Sequence, residues 1–181
     1  MPLTVTFPGR DLYDQKTGRF ITTKETTVTL EHSLLSVSKW ESKWKKSYFL
    51  KDNKTEEENL DYLSCMCITK NVDPMIFRTL DRKTAKLIAD YIADPMSATT
   101  VTNRDQRPSR EIITSEVIYF WMANFSIPFD PCEKWHLNRL IKLIEVASAK
   151  NKTPEKMPRR EMLNQRAALN AQRKAKYKSH G

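Results

Sequence analysis

The sequence predicts a mainly α protein of the α+β class: an N-terminal β-hairpin, a compact helical domain and a basic C-terminal helical arm. Three observations carry this. Period-two alternation of β-branched and aromatic residues is confined to the stretch before Glu31. Helix-capping residues and apolar positions at i, i+3, i+4, i+7 punctuate the remainder, in a chain with only three glycines. After the last apolar helix the chain turns strongly cationic and sparse in apolar residues. With 181 residues, one domain with its own core is expected, divided as 1–31 (β-ribbon), 32–152 (helical core, with an exposed loop at 95–111) and 153–181 (basic helix and tail).

Leu3-Thr4-Val5-Thr6-Phe7 and Thr26-Thr27-Val28-Thr29-Leu30 alternate as strands. Pro8-Gly9 and Lys16-Thr17-Gly18-Arg19 between them are turn-forming, giving a two- or three-stranded antiparallel ribbon. A ribbon of this kind is marginal alone, so it lies on the helical body or adds to a neighbour's sheet edge.

Ser33 is placed to cap a helix carrying Leu34, Val37, Trp40 and Trp44, the two tryptophans sharing a face. Thr55-Glu56-Glu57-Glu58 has the form of a capping box, opening a helix that buries Leu60, Leu63 and Cys67. Asp73-Pro74 starts a short turn through Phe77, and Asp81 or Thr84 caps a helix with Leu87, Ile88, Tyr91 and Ile92 that stops at Asp94-Pro95. Residues 95–111 hold two prolines and a charged run, the expected exposed loop, with a short strand at Thr99–Thr102 as the alternative. Ile112 to Phe129 is apolar on every side of a helix, so it is either central to the core or partly covered by another chain. Asp130-Pro131 restarts the chain, and the spacing of Leu137, Leu140, Ile141 and Ile144 predicts a buried helix from Pro131 to Lys150. A basic helix from Pro158 to Lys178 follows.

From Lys156 onward eight basic residues face the single acid Glu161, which accounts for seven of the nine net positive charges; the rest of the molecule is close to neutral. The basicity therefore belongs to the arm, and a nucleic-acid reading rests on the arm alone. Cys65-Met66-Cys67 has the wrong gap for a zinc knuckle, and three cysteines do not form an even disulfide set, which points to a reducing compartment. No secretory signal opens the sequence, and no apolar run approaches the roughly 18–20 residues a bilayer span needs.

Catalytic signatures are missing from the sequence. His32, His136 and His180 have no metal-ligand spacing, and no phosphate-cradling glycine loop or nucleophile elbow occurs. His136 reads as a helix-start histidine bonded to a backbone carbonyl, and Glu56-Glu57-Glu58 as a capped, dipole-stabilised helix start. Cys132, near the predicted start of the Pro131 helix, has the setting that lowers a thiol pKa but no sequence neighbour to use it. The expectation is a protein without catalytic residues, cofactor or metal.

The ordered blocks LEHSLLSVSKWESKW, ITSEVIYFWM, IPFDPCEKWHLNRLIKLIEVASAKN and PRREMLNQRAALNAQRKAKY resemble the tail assembly chaperones of long-tailed, siphovirus-type bacteriophages. The resemblance runs in order along nearly the whole chain, and Trp135-His136-Leu137-Asn138-Arg139-Leu140 with the basic tail is its most specific part. It implies a small non-catalytic protein in the host cytoplasm during virion assembly and absent from the mature virion. Its partner would be the aggregation-prone helical tape measure protein, with the tail tube protein and further copies of itself as additional candidates. The N-terminal ribbon departs from the all-helical members of that family.

The residues assigned to partner binding are Trp135 and Arg139 on the apolar helix, and Arg159, Arg160, Met162, Arg166, Leu169, Arg173 and Lys174 on the arm. A binding coat needs adaptable apolar contacts set among charges for solubility, which this set supplies. Two other classes stay open: a structural minor tail or connector protein that uses the ribbon for strand addition, and a nucleic-acid-binding adaptor that uses the arm.

Overall fold

The two alternating segments at the N-terminus pair with each other, as β1 (Leu3–Phe7) and β4 (Thr26–Leu30), antiparallel with Val5 opposite Val28. Alternation sends Val5, Phe7, Val28 and Leu30 into the core, while Thr6 and Thr27 join hydroxyls at 2.9 Å on the other face. The computed structural model describes residues 1–14, 18–50, 54–100, 112–151 and 159–177. A second antiparallel pair, β2 (Asp11–Asp14) with β3 (Arg19–Thr22), extends the hairpin, so the ribbon has four short strands in two ladders rather than two or three. The halves are joined where the Thr23 N–H donates to the Arg10 carbonyl at 2.9 Å. Gly9 is required there, since a Cβ would sit 2.8 Å from the Glu25 nitrogen and the Thr23 oxygen.

Helices follow the capping signals closely. Ser33 accepts from the Ser36 N–H to start α1 (Leu34–Trp44), and Lys45 in the left-handed region ends it. The Thr55–Glu58 capping box is formed in both directions and starts α2 (Glu56–Met66). Asp73 caps a 3-10 turn, Pro74–Thr79, and Asp81 caps α3 (Arg82–Ala93) by accepting from Thr84 N–H at 3.1 Å. Trp40 donates to the Glu58 carbonyl and Trp44 to the Asp61 carboxylate, both at 2.9 Å, so the shared tryptophan face fixes α1 against α2.

The apolar segment 112–129 forms a shorter helix than its composition predicts, α4 (Ser115–Asn124), followed by a turn and the single-turn α5 (Phe129–Cys132). Ile118 and Met122 are fully buried, whereas Phe120 is 62% exposed, so α4 covers the core with one side and leaves an aromatic on the other. Residues 95–100 carry no helix or strand, and 101–111, with most of the predicted loop, lie outside the described residues.

The helix expected from Pro131 instead begins six residues later, as α6 (Leu137–Asn151). The reason is tertiary. Leu137 N–H donates to the His32 carbonyl at 2.7 Å, Leu35 N–H donates to the Glu133 carbonyl at 3.2 Å, and Ser33 and His136 form a β-bridge. These bonds commit residues 133–137 to the start of α1 before the helix can begin. Cys132 is accordingly buried in α5 and not at the N-terminus of the long helix.

The chain divides into two compact units, Met1–Ala149 and Lys150–Gly181. The first holds one core in which the β1–β4 ladder, Trp40, Met66, Phe77, Ile118, Met122, Leu137 and Leu140 are packed together. The second contains α7 (Arg159–Tyr177), a helix of 19 residues.

Candidate functional site

The predicted partner-binding residues separate between the two units. Trp135 is half-buried in the turn before α6 and Arg139 is exposed on its first turn; the guanidinium carbon stands 4.6 Å from the Trp135 ring centroid. This places a cation over an aromatic face at the protein surface, a pair worth about 0.5–1 kcal/mol when exposed. The other seven candidates lie on α7, which Arg159 opens. Arg160, Met162, Arg166, Leu169, Arg173 and Lys174 are all exposed. Met162, Arg166, Leu169 and Arg173 follow one another at four-, three- and four-residue steps and so share one face of the helix. Met162 is 38%, Leu163 56% and Leu169 47% exposed, which makes the arm an amphipathic helix whose apolar groups stand among cations.

The sequence expects Leu60 and Leu63 to be buried on one helix and places Ile88 and Ile92 on the next, and here the structure adds a feature. α2 and α3 diverge to leave an open cleft of about 590 Å³, floored by Leu63, Phe77 and Ile88 and walled by Leu60, Ala85 and Ala89. Tyr48 and Tyr62 close one part of the lining, and Glu56, Asn59 and Arg78 contribute its polar groups. The signal that marks it in sequence is the small-residue pair Ala85 and Ala89 beside Ile88 and Ile92, which leaves one flank of α3 thin.

A buried polar seam runs behind this surface. His136 donates from Nε2 to the Tyr91 carbonyl at 3.0 Å and accepts the Asn138 N–H on Nδ1 at 3.3 Å, which fixes its neutral tautomer and makes it the cap of α6. That is the helix-start, carbonyl-bonded histidine its sequence setting suggests. His32, isolated in sequence, lies against it with ring centroids 5.2 Å apart and hydrogen-bonds Tyr62 through Nδ1. Burial first, and then the proximity of His136, push the His32 imidazole down to about 3; burial also lowers His136. Tyr91 donates to the buried Glu31 carboxylate at 2.5 Å, and burial raises the Tyr91 phenol above its ordinary range. Both histidines are therefore neutral members of a structural network.

Electrostatics elsewhere follow local pairing. Lys46, bonded at 2.6 Å, together with the Thr55 N–H holds the Glu58 carboxyl below its usual range. Burial pushes the Cys65 thiol up to about 11, which is opposite to an activated nucleophile. Among the described residues, no group of three or more His, Cys, Asp or Glu is arranged to hold a metal ion, and no helix is long and apolar enough to cross a membrane.

Comparison with protein-family models, curated proteins and solved structures gives no match to this chain. The functional reading therefore rests on the residues and surfaces above and on the ordered sequence resemblance.

Proposed function

We propose that the chain is a non-catalytic tail assembly chaperone of long-tailed bacteriophages, which binds the tape measure protein and keeps it soluble while the tail tube assembles. The observation that carries this reading is α7: an exposed helix that sets Met162, Leu163 and Leu169 among Arg160, Arg166, Arg173 and Lys174. Apolar contacts of modest area favour repeated, reversible binding along a long helical partner, and the surrounding cations keep the chaperone itself soluble. The ordered resemblance of four sequence blocks to that family supports the same role, and it carries the expected location, the host cytoplasm during assembly and not the finished virion.

A structural minor tail or connector protein is the second reading, favoured by the β2–β3 ladder. It pairs only with itself among the described residues and leaves two free strand edges. Affinity capture with the tagged chain from infected cells, alongside mass spectrometry of purified virions, separates the two. The chaperone reading expects the tape measure protein in the capture and the chain absent from virions; stoichiometric presence in virions overturns it. A salt-sensitive DNA shift that is lost on deleting residues 159–177 would instead favour the nucleic-acid adaptor.

A further inference from the structure

We propose that α7 takes an acidic amphipathic helix, laid along the side that carries Met162, Arg166, Leu169 and Arg173. This rests on the chaperone reading and names the kind of tape measure segment the arm binds. Charge divides α7 lengthwise. At about 100° per residue, its six basic positions, Arg159, Arg160, Arg166, Arg173, Lys174 and Lys176, fall with Met162, Leu163 and Leu169 within about 200° of the circumference. The remaining arc holds the uncharged Asn164, Gln165, Ala168, Ala171 and Gln172, all exposed, together with the position of the one acid, Glu161. Solubility alone asks for charge on every side of an exposed helix. Here the cations and the large aliphatic side chains are gathered on one side and the other is left neutral.

The pattern within that side dictates the occupant. Met162, Arg166, Leu169 and Arg173 follow one another in the steps of four, three and four that form the seam of a two-helix coil, with apolar and cationic residues alternating. A partner satisfies both kinds when it presents an apolar residue once per heptad and carboxylates beside it. Each arginine then holds a carboxylate in a fork of two hydrogen bonds, while Met162 and Leu169 lose water against the apolar groups. With six cations and one acid in α7, charge complementarity selects an acidic helix. A nucleic acid matches only half of this side. Phosphates engage the arginines but offer no apolar surface to Met162, Leu163 and Leu169, which are 38%, 56% and 47% exposed. Single strands are held by stacking on successive rings, and the one aromatic of α7 is its last residue, Tyr177.

The test uses the full chain and a fluorescein-labelled designed peptide of about 21 residues, long enough to hold helix on binding. It carries one leucine per heptad with glutamates three and four positions after it; a second peptide has lysine for each glutamate, and a third has serine for each leucine. Fluorescence polarisation is expected to show the first peptide binding about tenfold or more tighter than either of the others. Arg166→Gln with Arg173→Gln is expected to weaken it about tenfold. Ala168→Glu with Gln172→Glu makes the same change in net charge on the opposite arc and is expected to weaken it by less than about threefold. All four substituted positions are exposed. Circular dichroism verifies that each variant keeps its helix; where one does not, the three peptides on the wild-type chain decide. Equal weakening by the two pairs of substitutions overturns the face, and equal binding of the serine peptide overturns the apolar match. No binding of the first peptide, or equal binding of the lysine peptide, overturns the acidic match. A DNA or RNA duplex that binds the chain more tightly than the first peptide at the same salt overturns the proposal in favour of nucleic acid. Failure of the peptides while the tape measure protein is still captured leaves the chaperone reading standing; peptide binding without that capture leaves the acidic helix standing and removes the tape measure protein as its source.

Discussion

Glu41 is the buried acid on which the joint between α1 and α4 depends. It is 7% exposed, and its carboxylate accepts the Tyr48 N–H at 2.8 Å, the Ser115 N–H at 2.7 Å and the Ser115 hydroxyl at 2.5 Å. Thr114, at the N-cap of α4, makes no side-chain cap bond, so Glu41 supplies from another helix the acceptor that the first turn lacks. Glu41→Ala leaves the Ser115 and Tyr48 N–H groups without an acceptor and the buried Ser115 hydroxyl with only the Glu116 carboxylate, at 3.3 Å. At about 1–3 kcal/mol for each buried donor left unpaired, offset where water enters, the expected loss is about 3–5 kcal/mol. Glu41→Gln keeps the shape and one acceptor but turns an NH₂ toward donors, for about 1–2 kcal/mol. Urea unfolding with an unchanged m-value reads both, and the alanine variant should lower the thermal midpoint by about 10 °C. A loss under about 1 kcal/mol for alanine refutes the role assigned to the carboxylate. So does a glutamine variant as unstable as the alanine one, because that would point to packing rather than acceptance.

Three further outcomes follow from the same geometry. The His32 imidazole stands at about 3 in the folded chain, below its ordinary 6.5, so between those values the unfolded chain binds the extra proton. Its contribution is complete above pH 6.5 and is lost as pH falls toward 3, by several kcal/mol at 1.36 kcal/mol per pKa unit; urea midpoints at decreasing pH should fall, less steeply for His32→Gln, and parallel slopes would contradict this. Leu140→Ala removes a fully buried side chain of α6 and is expected to cost about 2–5 kcal/mol by chemical denaturation; a cost below about 1 kcal/mol would contradict its place in the core. Arg139→Ala removes the cation over Trp135 and is expected to cost no more than about 1 kcal/mol, accompanied by a change in Trp135 fluorescence; a larger loss would mean that the pair supports the fold as well as the surface.

What was legible in the sequence was whatever is decided within three or four residues. The caps Ser33, Thr55 with Glu58, and Asp81 use partners three positions away, and all three start helices where their side chains predict. The start of α6 was not legible, because Leu137 and, ahead of it, Glu133 are held by His32 and Leu35, which are about a hundred positions distant in the chain. The Glu41 latch spans 74 positions and leaves no local trace. The ladder β2–β3 was missed because Asp11-Leu12-Tyr13-Asp14 is too short and too acidic to announce a strand; pairing with Arg19–Thr22 forms it. The cleft was hidden for a different reason. Apolar periodicity marks Leu60, Leu63 and Ile88 as a face to be covered, but it does not distinguish cover by the chain's own core from cover by another helix. On the arm, by contrast, charge density alone placed Met162, Leu169 and the arginines in solvent.

Co-expression with the tape measure protein of the same phage addresses chaperone action most directly. The soluble fraction of the tape measure protein is expected to rise severalfold with the full chain and to fall back when residues 159–177 are deleted. A soluble fraction that is the same with and without the chain contradicts the proposed function.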